Sequence, residues 1–333
     1  MKTEHIRIDN LIEKINRRIR YKWVSKLRNT ELYKYCYKSY WHCLLMNKGK
    51  TASSKELENC YFAARPNPGA GIGHQMANWI AGYWFAGKFG LKFAHIPFSS
   101  DKWEHFLGFY QGEKTVDELK KQGYNIVKLQ KFDENDTNEC ERIVQIIRSY
   151  AGKKVVFLAE QDQFYSDQYG VINAIQDKFY SAPARADDKL IYKNAAYNIA
   201  IHVRRGDIMQ NKNNENLSMR YQGNDYFVNA LKTALGVLKD KNNVQIYLFS
   251  QGKEEDYPEF SQFENLHFCL DMGAQDSFLH MVYADALITS KSSFSYKPAL
   301  LNKGIKFCPA DFWHGYPDSE DWILIDDSGQ IER

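Results

Sequence analysis

Residues 198–207 read Asn198-Ile199-Ala200-Ile201-His202-Val203-Arg204-Arg205-Gly206-Asp207. The run from Asn198 to Val203 is short and mainly apolar, and it predicts a buried strand. It leads straight into two arginines. In an open α/β sheet a ligand binds just outside the carboxyl ends of the strands, and Arg204 and Arg205 sit at such an end. The guanidinium group is a planar fork suited to bidentate recognition of phosphate. Burying two adjacent guanidiniums without an anion is costly, so an anionic ligand is the simpler expectation. The alternative is a structural ion pair with Asp207. Arg205-Gly206-Asp207 also spells a cell-adhesion tripeptide, which is discounted because it lies at a strand end.

Outward from this stretch, strands and helices alternate. Downstream, 226–238 predicts a helix, 244–250 a strand, 277–283 a helix, 286–289 a strand and 295–302 a helix. Upstream, 91–96 and 154–159 predict strands and 140–150 a helix. Such interleaving argues for parallel sheets of the α/β class. Two alternating blocks predict two sheets with a cleft between them. The expected organisation is a basic helical extension and linker over 1–59, an α/β domain over 60–190, and a second α/β domain over 191–333.

Two further segments carry chemistry. Gly69-Ala-Gly71-Ile-Gly73-His74-Gln75 precedes a helical run from Met76 to Phe89. Glycines before a helix let backbone N–H groups approach a phosphate or sugar, and a tight structural turn is the equal alternative. No Gly-Lys-Ser/Thr follows, so this is not a P-loop, and the dinucleotide fingerprint is absent. The other segment runs from Asp276 through a helix and short strand to Ser292-Ser293-Phe294-Ser295-Tyr296-Lys297. Hydroxyls and free N–H groups at a helix start bind anions well; ordinary capping is the plainer reading of Ser292, Ser293 and Asp276.

The chain has 333 residues, 44% hydrophobic and 26% charged, the balance of a folded domain pair rather than of a disordered chain. Net charge is only +3, which excludes a global polyanion-binding signature. The charge is unevenly placed: residues 1–50 carry 13 Lys/Arg against 4 Asp/Glu. Over 4–45, Ile8, Ile12, Ile15, Ile19, Trp23 and Leu27 form a helical stripe, with Arg17, Arg18, Arg20, Lys22, Lys26 and Arg28 around it. Tyr33, Tyr35, Tyr37, Tyr40 and Trp41 follow. Two readings stand level: an interfacial helix on an anionic membrane, or a stripe docked on the body or a second subunit. Nucleic acid is not an expected partner. No transmembrane window and no signal-peptide core are seen. The six cysteines form no Cys-x-x-Cys pair and read as reduced thiols. The expected location is therefore cytoplasmic, peripheral on the inner membrane face under the first of the two readings of the N-terminal stripe and free of the membrane under the second.

Taken in order, the three segments resemble the fucosyltransferase superfamily, in particular the bacterial α-1,2-fucosyltransferase-like proteins of glycosyltransferase family 11. The residues that carry the resemblance are Gly71-Ile72-Gly73-His74-Gln75-Met76, the His202-x-Arg204-Arg205-x-Asp207 motif, and the Asp276 helix followed by Ser292-Ser293-Phe294-Ser295 and Ala299-Leu300-Leu301. Pro309-Ala-Asp-Phe-Trp313 is similar to the family's closing segment. His74 in place of Asn, and Tyr296-Lys297 in place of an aromatic pair, depart from it.

The resemblance implies a GT-B fold of two Rossmann-like domains and inverting transfer of L-fucose from GDP-β-L-fucose to a hydroxyl of a glycan or glycolipid. No Asp-x-Asp occurs in the chain, so no metal and no cofactor is expected, and arginine takes the role of neutralising the leaving diphosphate. By motif position Arg204 contacts the β-phosphate and Arg205 shapes the site. Ser292, Ser293, Phe294 and His202 line the donor, Asp276 accepts from guanine, and Gly71, Gly73, His74 and Gln75 face the donor. Asp207 is the favoured base, with Glu215 and Asp225 as alternatives. Another nucleotide-activated deoxysugar, or a non-catalytic nucleotide- or glycan-binding role on the same fold, are the rival readings.

Overall fold

The computed structural model describes residues 22–28, 30–46, 54–67, 69–159, 165–210 and 219–332. Its frame is two parallel sheets. The first has five strands in the order β3-β2-β1-β5-β4, with β1 Cys60–Ala64, β2 Lys92–His95, β3 Lys114–Thr115, β4 Asn125–Lys128 and β5 Val155–Ala159. The central strands β1 and β5 are buried along their whole length, which is why both read as unbroken apolar runs rather than alternating ones. Phe62, Phe157 and Ile146 fill the core beside them.

The second sheet has six strands in the order β11-β10-β9-β6-β7-β8. These are β6 Tyr197–His202, β7 Val244–Ser250, β8 Leu266–Leu270, β9 Ala286–Ile288, β10 Ile305–Pro309 and β11 Trp322–Ile325. Every neighbouring pair is parallel. The chain starts at β6, steps outward to β7 and β8, then returns to the other side of β6 for β9, β10 and β11. The order therefore reverses between β6 and β9. This is the doubly wound arrangement, and its ligand crevice opens at the carboxyl ends of those two strands.

Helices join the strands: α1 Lys38–Met46, α2 Ile72–Lys88, α3 Asp101–Leu107, α4 Val116–Lys121, α5 Thr137–Arg148, α6 Ile172–Tyr180, α7 Asp207–Gln210, α8 Asn224–Val237, α9 Ala274–Tyr283 and α10 Ser293–Leu301. The α/β class with two parallel sheets is as expected. Six strands, β1, β3, β4, β8, β10 and β11, escaped the pattern. β4 is only half buried and β3 has two residues; β8 mixes His267 into a half-buried edge; β10 carries Lys306, which is buried and held by Asp321 and the Gly304 carbonyl.

The continuous helix expected over 4–45 is corrected by the structure. Residues 22–27 are helical, residue 28 and residues 30–32 are turn or bend, and a 3-10 turn Tyr33–Cys36 precedes α1. The Thr30 hydroxyl donates to the Leu27 carbonyl at 2.8 Å, closing the first piece, and Tyr37 is extended (φ −110°, ψ 128°). The part of the stripe from Ile8 to Ile19 lies outside the described residues.

The chain packs as two compact units. The first comprises Met1–Arg65, Phe85–Ala94 and Lys114–Phe164; the second Pro66–Trp84, His95–Glu113 and Tyr165–Arg333. The glycine loop and the first half of α2 thus belong to the second unit, with the six-stranded sheet.

Candidate functional site

The site is built where β6 ends. His202 is the last residue of that strand and is 6% exposed. Its Nδ1 lies 2.8 Å from Ser290 Oγ, just past the end of β9, and Ser290 Oγ lies 3.2 Å from Ser295 Oγ on α10. Burial, reinforced by the positive charges of Arg204 and Arg205, pulls the His202 imidazole down to about 3. The ring is a neutral hydrogen-bonding group that ties β6 to the β9–α10 turn across the switch point.

Beyond His202 the two arginines take different tasks. Arg205 donates through Nη1 to the carbonyls of Arg204 (2.8 Å) and Gln222 (3.0 Å), and through Nη2 to Asn224 Oδ1 (2.5 Å). Its guanidinium lies 4.9 Å from the Tyr221 ring centre. These bonds brace the segment that leads into α8. Gly206 follows with φ +73°, and a Cβ there would collide with Gln251 Oε1, so the turn that aims the arginines requires glycine.

Arg204 and Arg205 border a cavity of about 450 Å³ that lies wholly within the second unit. His202 and Val203 form its floor. The ends of β7 and β8 supply Ser250, Gln251, Asp271 and Met272; α9 supplies Ala274 and Ser277; Phe294, Trp103 and Gly71 complete the wall. The Phe294 ring sits 5.4 Å from His202 and 6.1 Å from Phe278, centre to centre. The cavity therefore sets two arginines among hydroxyl, amide, aromatic and apolar side chains, with Asp271 also in the lining, a composition that fits a ligand of mixed polarity carrying an anionic group.

The glycine loop reaches this place by close packing. A Cβ on Gly73 would come within 2.6 Å of the Ser293 carbonyl oxygen, so only glycine lets α2 start against the α10 turn. Gln75 is 4% exposed; its Nε2 donates to the Ala70 carbonyl (2.8 Å) and Ser99 Oγ (2.7 Å), and its Oε1 accepts from Ser99 N–H (2.9 Å). All its hydrogen-bonding capacity in these contacts holds the loop together rather than facing the cavity.

Of the residues singled out in the sequence, His202, Arg204, Arg205, Phe294 and Gly71 line the cavity. Ser292 caps α10, accepting Phe294 N–H at 3.2 Å, while Ser293 backs onto Gly73. His74 is exposed and does not line the cavity. Asp276 is exposed in the first turn of α9, its carboxylate over Gly273, and is not part of the lining. Asp225 is exposed in the first turn of α8. Asp207 begins α7, but its side chain, like the whole of Glu215, lies outside what is described. Among the described residues no three His, Cys, Asp or Glu side chains gather as a metal site.

Trp103, Gln251 and Asp271 were not anticipated. Gln251 and Asp271 directly follow β7 and β8, so the strand-end rule applied to the predicted strand 244–250 would have found Gln251, and Asp271 too had β8 been recognised. Trp103 carries no such sequence signal: it arrives from α3, some hundred residues upstream of β6.

Among solved structures, the chain is similar to POFUT1 in complex with GDP, at 12% identity and a TM-score of 0.42, covering 74% of this chain and 96% of that one. It is also similar to E. coli heptosyltransferase WaaC with ADP, at 10% identity and a TM-score of 0.43, covering 80% and 93%. No protein-family model and no curated protein matches the chain.

Proposed function

We propose that this chain is a nucleotide-sugar glycosyltransferase that moves L-fucose from GDP-β-L-fucose to a glycan hydroxyl, with inversion, in the synthesis of a bacterial surface glycan through an α-1,2 linkage. One observation carries the reading: Arg204, at the carboxyl end of β6, borders the cavity at the switch point of a doubly wound sheet. The diphosphate of the donor belongs beside Arg204, where charge that develops on the leaving group meets a fixed cation. The α10 N-terminus adds its partial positive charge. His202, neutral and buried, supplies position rather than charge. Arg205 acts through its bracing bonds. No metal takes part in this scheme, and Asp207 accepts the proton of the attacking hydroxyl.

Calorimetric titration of GDP, UDP, ADP and dTDP in EDTA tests the proposal, with the wild type and Arg204→Ala. Tight binding of GDP alone, weakened by about 10- to 100-fold in the variant, is the expected result; a charge-assisted hydrogen bond contributes about 1.5–3 kcal/mol. Preference for another nucleotide keeps the transferase and removes fucose. No nucleotide binding overturns both. In the same series Asp207→Asn should bind GDP normally and lose turnover.

A further inference from the structure

The N-terminal segment of the first unit presents one face to the body and another to solvent. Tyr33, Tyr37, Ser39 and Cys43 are buried. Ser39 Oγ donates to the Lys128 carbonyl at 2.7 Å, and Lys131 N–H donates to Tyr33 Oη at 3.2 Å. The His42 ring stacks on Tyr150 with centres 3.8 Å apart. These contacts fix the rotation of α1 about its axis.

The exposed side chains of the segment carry an unusual load. Trp23, Trp41, Leu44, Leu45 and Met46 are 64, 48, 54, 73 and 56% exposed. Isolated exposed apolar residues need no explanation, but a group of this size within one short segment marks an interaction surface. Trp41 has its Nε1–H already bonded to the Tyr35 carbonyl at 2.9 Å, so the indole can leave water without stranding its donor. Tyr35 and Tyr40 pack around it, their ring centres 5.5 and 6.3 Å from that of Trp41.

Charge decides the occupant. Lys22, Lys26, Arg28 and Lys38 are exposed in the same segment, and the only acid there, Glu31, is paired with Lys34 at 2.8 Å. An isologous contact with a second copy would set these cations against themselves. A sheet of anionic headgroups over hydrocarbon satisfies both halves of the surface at once: lysine and arginine at the phosphates, indole at headgroup level, leucine and methionine below. No helix among the described residues is long and apolar enough to cross a membrane. We propose that residues 22–46 form a docking surface for an anionic lipid bilayer, in which Trp41, Leu44 and Leu45 insert while the buried face of α1 keeps the segment attached to the first unit.

Co-sedimentation of the full chain with vesicles of phosphatidylcholine alone, or with about 30 mol% phosphatidylglycerol, tests this at low and high salt. The anionic vesicles should bind at least about tenfold better, and raising salt from about 0.1 to about 0.5 M should weaken binding several-fold. Trp41→Ser combined with Leu45→Ser should reduce binding by at least about tenfold, because both side chains are exposed. Should that pair disturb folding, Lys26→Glu with Lys38→Glu supplies the same test through charge. Arg204→Ala should bind vesicles as the wild type does, which separates this surface from the nucleotide site. Equal binding of the surface variants and the wild type, or no anionic-vesicle binding, overturns the proposal. So does a lipid-free dimer that the Trp41→Ser, Leu45→Ser variant dissolves.

Discussion

His202 shows how much a single position at this site is asked to do. Its side chain is buried beside two arginines, and its imidazole is held at about 3. His314, also buried, is pulled down to about 2, first by burial and then by Lys297. Above the unfolded value of about 6.5 both states leave these rings neutral and no stability difference arises. Below it the unfolded chain takes up protons that the native one refuses, so stability is lost as pH falls from about 6.5 towards the folded values. Each ring contributes up to about 1.4 kcal/mol per pH unit. Urea midpoints should therefore drop steeply between pH 6.5 and 5, and His202→Asn should flatten the slope by about one proton's worth. An unchanged slope would mean that His202 titrates normally in the native state.

Among the elements, α10 matters most to the site. It begins at the switch point, and its start is held by the Ser292 side chain on Phe294 N–H and by Gly73 against the Ser293 carbonyl. Its interior is unusual: Pro298 sits inside the helix, and Lys297 is fully buried, with Nζ bonded to Gln168 Oε1 at 2.7 Å. A nine-residue helix with a proline has little intrinsic stability, so tertiary packing and its cap sustain it. Ser292→Ala should lower unfolding free energy by about 1 kcal/mol, and Ser292→Asp should recover most of it. Chemical denaturation of the three proteins measures this directly. Equal stability of all three would assign the helix start to packing alone.

At the scale of the molecule, each compact unit is assembled from three separate stretches of the sequence. The division falls inside α2, between Trp84 and Phe85, and at the end of β2, between Ala94 and His95. Both α2 and β2 therefore contribute residues to each unit. Heating should give one cooperative transition, coincident by calorimetry and tryptophan fluorescence, and GDP at about a hundred times its Kd should raise the whole transition by about 2.7 kcal/mol of stability. Two resolved transitions, with only one shifted by GDP, would show that the units unfold independently. Much of this architecture was legible beforehand. Apolar runs such as 199–203 and 155–159 announce buried strands because parallel strands hide both faces, and a charged pair directly after such a run announces a site. The same reasoning could not rank Gln75, whose role as a clamp depends on Ser99, or assign the faces of Tyr33 and Tyr35, two residues apart in a segment that turns between helical pieces. By itself the sequence determined the α/β class, the three strands β6, β7 and β9 at the middle of the second sheet, and the place of Arg204 at a strand end. Only the tertiary structure decided the strand order, the meeting of Gly71, Trp103, Arg204, Gln251, Asp271 and Phe294 around one cavity, and the outward face of α1. Local pattern reports how deeply a residue is buried; which distant residue it is buried against depends on packing between segments that lie far apart along the chain.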